Sequence, residues 1–294
     1  MDIFIDNLTK KYGKIVALDS VNLDIKDHGC TGMLGPNGAG KTTMLKLATN
    51  IVKPTTGKIE IDGVNVTDYP EKALKNIGSL IEQPEFYNYL SGYEILQFSG
   101  KIKGIPKDEL VKEIKEIGDL TEIHEFINRK TGGYSRGMKQ RLALSVAMLG
   151  NPEIIILDEP TFGLDPKGMA DIRKIIKDLS REKLVLLSTH LINEARELCD
   201  RTIIINKGKI GYDSRMEPNR SLLKVTASNV SKLRSNKILN YSIDGDHYII
   251  EKDKNYENYE ILSDLLEEGL KVEYMEKYDN IEDIYISLIN EKKL

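Results

Sequence analysis

Residues 35 to 43 read Gly-Pro-Asn-Gly-Ala-Gly-Lys-Thr-Thr, three glycines packed in front of a cation and two hydroxyls. Gly35, Gly40, Lys41 and Thr42 fill the pattern G-x-x-x-x-G-K-[ST]. A polyphosphate is dense in negative charge, and backbone N–H groups bind it when the chain comes close. Side chains obstruct that approach, which gives glycine its use. A helix opening behind the turn aims free N–H groups and its positive dipole end at the same phosphates. Lys41 is placed to reach the β and γ phosphates, and the Thr42 hydroxyl is a candidate Mg²⁺ ligand. Pro36, Asn37, Gly38, Ala39 and Thr43 complete the candidate loop. The expected ligand is a nucleoside triphosphate.

A second cluster closes the stretch "PEIIILDEPTFGLDP", which starts at Pro152. Ile154 to Leu157 form an unbroken apolar run, the pattern of a strand buried on both faces. The run ends in Asp158 and Glu159. In open α/β sheets ligands sit beyond the carboxyl ends of the strands, where Asp158 can hold Mg²⁺ through water. Successive strand residues point opposite ways, so Glu159 has a different task, polarising a water for attack on the γ phosphate. Between the clusters lies "TGGYSRGMKQRLALSVAMLG", from Thr131. Ser135 is a candidate N-cap for a helix carrying Leu142, Leu144, Val146, Ala147 and Leu149. Its bare turn, with Gly137, offers backbone to an anion a second time.

These segments, in this order from about Asp2 to Asp213, resemble the ATP-binding cassette family, the ATP-hydrolysing subunits of ABC transporters. In "KKYGKIVAL", Tyr12 matches the aromatic that stacks on adenine. "GPNGAGKTT" matches the phosphate loop. In "SLIEQPEFYNYLSGYEIL", Gln83 matches the glutamine that meets both Mg²⁺ and the membrane partner. "YSRGM" matches the signature loop, usually Leu-Ser-Gly-Gly-Gln, with Ser135 and Gly137 at the phosphate-touching positions. "ILDEP" matches the metal and catalytic acidic pair, "GLDP" places Asp165 at the dimer contact, and "STH" ends in His190, which senses the γ phosphate. Two residues depart from the pattern: Tyr134 stands for leucine and Arg136 for the first signature glycine. The form "YS-x-GMKQRL" is similar to the branch that exports bacitracin, lantibiotics and other peptides or drugs.

The resemblance implies ATP and Mg²⁺ as cofactors. It implies catalytic roles for Glu159, His190 and Lys41, and Mg²⁺ ligation by Thr42, Gln83 and Asp158. It also implies a head-to-tail pair with a second copy or a related cassette subunit, bound to integral membrane permease subunits at the cytoplasmic face of the membrane. The exposed aromatics Phe86, Tyr87 and Tyr89 would suit a helix of that partner.

The elements needed to position these residues are legible in outline. "MDIFIDNL", "VNLDIK" and "GKIEIDGVNV" alternate as antiparallel strands, whereas "CTGML", "IIILDE" and "KLVLLSTH" read as buried parallel strands. "KTTMLKLATNIV" has helical spacing through Ile51 and Val52. Helical patterns fill about 88–150, and "DPKGMADIRKIIKDL" and "LINEARELC" add amphipathic helices. "RTIIINKGKIGYD" reads as a hairpin. The expected fold is α/β: a P-loop NTPase core of the ABC ATPase type over 1–213, with an antiparallel β subdomain and a helical subdomain. A small α/β extension over 214–294 follows the polar connector "SRMEPNRS", built from a strand "LLKVTAS", a hairpin at "IDGD", a helix "YEILSDLLEEG", a strand "KVEYM" and a helix "NIEDIYISLINEKK".

Bulk properties narrow the classes. With 294 residues and a net charge of −4, the chain has no basic excess, and no nucleic-acid partner is expected. The start lacks a secretory pattern and no apolar run approaches membrane-spanning length. The two cysteines, Cys30 and Cys199, lie far apart in sequence and outside metal-like spacing, so both read as buried free thiols of a reducing compartment. His28, His124 and His247 belong to no motif. The rival reading, a soluble cassette protein acting on ribosomes or DNA, is expected to show two cassettes or a long coiled coil; one cassette and no sustained heptads are present.

Overall fold

The computed structural model describes residues 1–26, 28–215, 221–228, 232–253, 255–278 and 281–290. The chain divides into two units, Met1–Ser214 and Arg215–Leu294. The first runs β1 (Asp2–Tyr12), β2 (Ile15–Lys26), β3 (Gly29–Leu34), α1 (Lys41–Ala48), β4 (Thr56–Ile61), β5 (Val64–Asn65), α2 (Pro70–Ala73) and β6 (Ile77–Leu80). It continues with α3 (Gly92–Ile102), α4 (Lys107–Thr121), α5 (Arg136–Met148), β7 (Ile154–Asp158), α6 (Pro166–Ser180), β8 (Leu184–Thr189), α7 (Ile192–Leu198), β9 (Arg201–Asn206) and β10 (Lys209–Asp213).

Two sheets organise this unit. β2-β1-β4-β5 is antiparallel; β10-β9-β3-β8-β7-β6 is parallel except at the β10 edge. The unbroken apolar runs follow from burial on both faces. Ile154, Ile156, Leu184 and Leu186 pack with α1 and the antiparallel sheet, and their neighbours Ile155, Leu157, Val185 and Leu187 pack with the helical layer α3 to α6. Alternation therefore hands each strand's side chains to two cores in turn. Asp158 continues the α1-facing series, so its carboxylate arrives beside the helix that follows the glycine-rich turn.

Three elements differ from what the sequence leads one to expect. α1 ends at Ala48, short of Ile51 and Val52, because Asn50 takes a left-handed backbone (φ 55°) and turns the chain away; Ile51 is left exposed. β6 was not expected as a strand at all. Its glycine is required by packing, since a Cβ on Gly78 would stand 1.9 Å from the Ala147 carbonyl oxygen. α5 also stops at Met148, with Leu149 buried just past its end.

The helical layer is fixed by its caps. Ser91 Oγ accepts from the Glu94 N–H (3.2 Å), and Glu94 Oε2 accepts from the Ser91 N–H (2.7 Å). Those Ser91 bonds, with Lys130 beside them, hold the Glu94 carboxyl down at about 2. Tyr134 takes the family's leucine position as a buried residue. Its hydroxyl donates to the Phe126 carbonyl (2.7 Å), its ring meets Phe126 edge-on at 5.1 Å, and burial raises its phenol. Tyr134→Phe leaves that carbonyl only its bond from the Arg129 N–H (2.9 Å) and should cost about 0.5–1.5 kcal/mol, read as a lowered midpoint of the first unit's urea-unfolding transition.

Cys30 and Cys199, remote in sequence, meet in space with 3.5 Å between their sulfurs, and both are free. The contact with Cys199 and burial push the Cys30 thiol well above its ordinary range.

The second unit has β11 (Ser221–Ser228), β12 (Ile238–Asp244), β13 (His247–Lys252), α8 (Asn258–Glu267), β14 (Lys271–Lys277) and α9 (Ile281–Asn290). Its antiparallel sheet runs β12-β13-β11-β14, and Ile261 and Leu265 of α8 pack on Leu223, Val225, Tyr248 and Ile250. Residues 216–220 of the expected connector, and 280 and 291–293 of the expected last helix, lie outside the described residues. Among the described residues no helix is long and apolar enough to cross a membrane.

Candidate active site

The turn between β3 and α1 lies at the carboxyl edge of the parallel sheet. Its glycines serve different ends. A Cβ on Gly35 would come within 2.4 Å of the Ile205 carbonyl oxygen, and one on Gly40 (φ 113°) within 2.6 Å of the Ala17 carbonyl oxygen. Both are demanded by the protein's own backbone. At Gly38 a Cβ would meet nothing within 4 Å, but φ is +79°, which disfavours a side chain. The expectation that glycine serves phosphate approach alone is thus too narrow.

Lys41 is 5% exposed and lies back along the turn, donating to the carbonyls of Gly35 (2.7 Å) and Pro36 (3.3 Å). Its ammonium also stands 3.3 Å from Glu159 Oε1. Thr42 Oγ1 donates to Asp158 Oδ1 at 3.2 Å, and the same oxygen accepts from Ser188 Oγ at 2.5 Å. β7 and β8 pair Asp158 directly with Ser188. Immediately after the strand, Glu159 adopts φ 48°, uncommon for a residue with a side chain. Its N–H is held by Ser188, donating to the hydroxyl (3.0 Å) and the carbonyl (3.2 Å). The turn swings Glu159 out of the strand's alternation and towards His190, whose Nδ1 lies 2.7 Å from Oε2. Buried Glu194 of α7 ties the two neighbouring loops together, accepting from Thr161 (2.6 Å) and Thr189 (2.5 Å).

Lys41, Thr42, Asp158, Glu159 and His190 thus converge on one cavity of about 770 Å³, together with Asn37 to Gly40, Thr43 and Gln83. Ile15 and Val16 of β2 and Phe162 supply its apolar wall. Tyr12 is not among the lining residues; its ring lies 4.9 Å from the Lys10 ammonium, at the other side of the β1–β2 turn.

Ser135 caps α5 through a bond from the Met138 N–H (3.3 Å). Gly137 opens onto free space. Both line a different cavity of about 670 Å³, shared with Asp165, and so do not meet Lys41 within the chain. Asp165 caps α6, accepting from the Gly168 N–H at 3.0 Å. Sequence reasoning missed Ser188, although it opens the motif "STH"; the pairing that puts it against Asp158 is long-range. It also missed Ile15, Val16 and Phe162, which look like ordinary strand and loop residues.

A phosphate-loop turn feeding α1, an acidic pair at the end of β7, separated from β3 by β8 alone, and a helical layer inserted before β7 define a P-loop NTPase of the ATP-binding cassette type. The family model described as ABC transporter matches residues 18–162. The uncharacterised ABC transporter ATP-binding protein YxlF of Bacillus subtilis (strain 168) is 31% identical over 299 residues, covering 97% of this chain and 99% of that protein. The bacitracin transport ATP-binding protein BcrA of Bacillus licheniformis is 40% identical over 232 residues, covering 77% and 75%. The dimeric structure of MJ0796, a bacterial ABC transporter cassette, superposes with a TM-score of 0.67 at 32% identity, over 74% of this chain and 99% of that one. The chain belongs to the ABC transporter family and is an ABC-type ATPase.

Proposed function

We propose that this chain is the ATP-hydrolysing subunit of a membrane exporter whose cargo is a peptide antibiotic or drug, working as a head-to-tail pair on separate membrane subunits. The observation that carries the pairing is the separation of two phosphate-type sites. Lys41, Thr42, Asp158, Glu159 and His190 share one cavity, while Ser135 and Gly137 face another. A second copy would bring its Ser135 and Gly137 over the nucleotide on Lys41. The cargo class rests on similarity to the bacitracin transport protein.

Thr42, Asp158 and Gln83 would hold Mg²⁺. The donor set fits: all three offer oxygens, and the Thr42 and Asp158 oxygens already lie 3.2 Å apart. When bound, Mg²⁺ would neutralise charge on the β and γ phosphate oxygens. Lys41 has the same task from the backbone side. A γ phosphate would compete with Glu159 for its ammonium, leaving that carboxylate oriented by His190 alone. Glu159 then accepts a proton from the attacking water as the new P–O bond forms and the bond to the β phosphate breaks. ATP favours closure because its γ phosphate touches both copies, and hydrolysis removes that contact.

Affinity capture of the full chain from solubilised membranes of its own cells tests the coupling. The expected result is co-recovery of a polytopic membrane subunit in stoichiometric amount. Recovery of ribosomes or DNA without a membrane subunit would contradict it.

A further inference from the structure

The side chain between Ser135 and Gly137 reaches back into its own subunit. Arg136 Nη2 donates to Gln83 Oε1 at 2.9 Å, and the guanidinium stands 5.2 Å from the centre of the Phe162 ring. Space has been left for it: a Cβ on Gly163 would lie 2.2 Å from Arg136 Nη1. Phe162 meets His190 edge-on at 6.0 Å, and His190 holds Glu159. A continuous set of contacts thus runs from the signature turn to the acidic pair. The oxygen of Gln83 that a metal would use is the one that Arg136 engages, because a side-chain amide offers hard cations only its carbonyl oxygen.

We propose that Arg136 is a positioning residue: it holds Gln83 Oε1 until a phosphate reaches Ser135 and Gly137. A phosphate attracts a guanidinium more strongly than a neutral amide does, and Arg136 is flanked by both phosphate-facing residues. Arrival of the partner's nucleotide draws Arg136 away and frees Gln83 for the metal site of its own subunit. Loading one site therefore raises metal affinity at the other. The proposal rests on the reading of Gln83 as a metal side chain and of Ser135 and Gly137 as the partner's phosphate contacts.

The test is Mn²⁺ binding, followed by the free-ion EPR signal, to the full chain loaded with a non-hydrolysable ATP analogue at a concentration where light scattering shows a monomer. Arg136→Ala should tighten Mn²⁺ binding about threefold to tenfold, the span of one hydrogen bond of ordinary net strength, because water screens the guanidinium at this exposed site. Arg136→Lys, which keeps a cationic donor, should return most of the way to the parent. In a Gln83→Ala background Arg136→Ala should change nothing. Unchanged or weaker Mn²⁺ binding in Arg136→Ala, or the same tightening with and without Gln83, overturns the proposal. If Gln83→Ala, added to Arg136→Ala, leaves Mn²⁺ affinity as it is in Arg136→Ala alone, the metal reading of Gln83 falls and takes this proposal with it. If Gln83→Ala weakens binding while Arg136→Ala is inert, only the proposal falls.

Discussion

Glu159→Gln is expected to lower ATP turnover by about a hundredfold to ten-thousandfold, the usual contribution of a general base, with nucleotide affinity preserved. The amide keeps the shape of the carboxylate and can still meet His190 Nδ1, now at 2.7 Å from Oε2. It cannot take a proton from water. It also withdraws a negative charge from beside Lys41, 3.3 Å away, and so removes a competitor for the ammonium that a γ phosphate needs. ATP should therefore bind at least as well and persist, and ATP-dependent dimers should accumulate. Phosphate release and size-exclusion chromatography with light scattering measure the two halves of this outcome. Turnover at the parent rate would remove Glu159 from the role of base.

Lys41→Ala is expected to weaken ATP binding about a hundredfold or more, since charge-assisted hydrogen bonds contribute about 1.5–3 kcal/mol each and this ammonium would supply at least two. It is a buried cation already aimed along the turn by the carbonyls of Gly35 and Pro36. Little reorganisation separates that arrangement from one facing phosphate oxygens. Equilibrium binding of a fluorescent ATP analogue gives the loss. Thermal unfolding of the same sample separates it from misfolding, because Glu159 retains His190 when the ammonium is gone. A variant that binds the analogue as tightly as the parent would contradict the role given to Lys41.

What could be read in advance divides along physical lines. Period-two patterns and unbroken apolar runs report burial, a local property, so β1, β2, β3, β7 and β8 were visible. β6 was not, because Ile77–Leu80 is short, holds a glycine and a serine, and owes its place to pressure from α5 at Gly78. The overlong reading of α1 had the opposite cause. Ile51 and Val52 keep the helical period, but the left-handed turn at Asn50 ends the helix first. In the site, residue types named the candidates, while register brought them together: the pairing of β7 with β8 sets Asp158 against Ser188 and Glu159 near His190. Contacts between remote segments left no local trace, so the Cys30–Cys199 pair and the Arg136–Gln83 bond emerged only from the fold.

The central claim is that each nucleotide is held between Lys41 of one copy and the signature turn of another. Mixing Lys41→Ala protein with Ser135→Arg protein tests it most directly. Each variant alone spoils both composite sites and should be inactive. A mixed pair contains one site with Lys41 and Ser135 both intact, so an equimolar mixture should regain roughly a quarter of the parent phosphate release if half the pairs are mixed and one of two sites works. A mixture as inactive as its components, or a Ser135→Arg protein that is fully active by itself, would contradict the shared site.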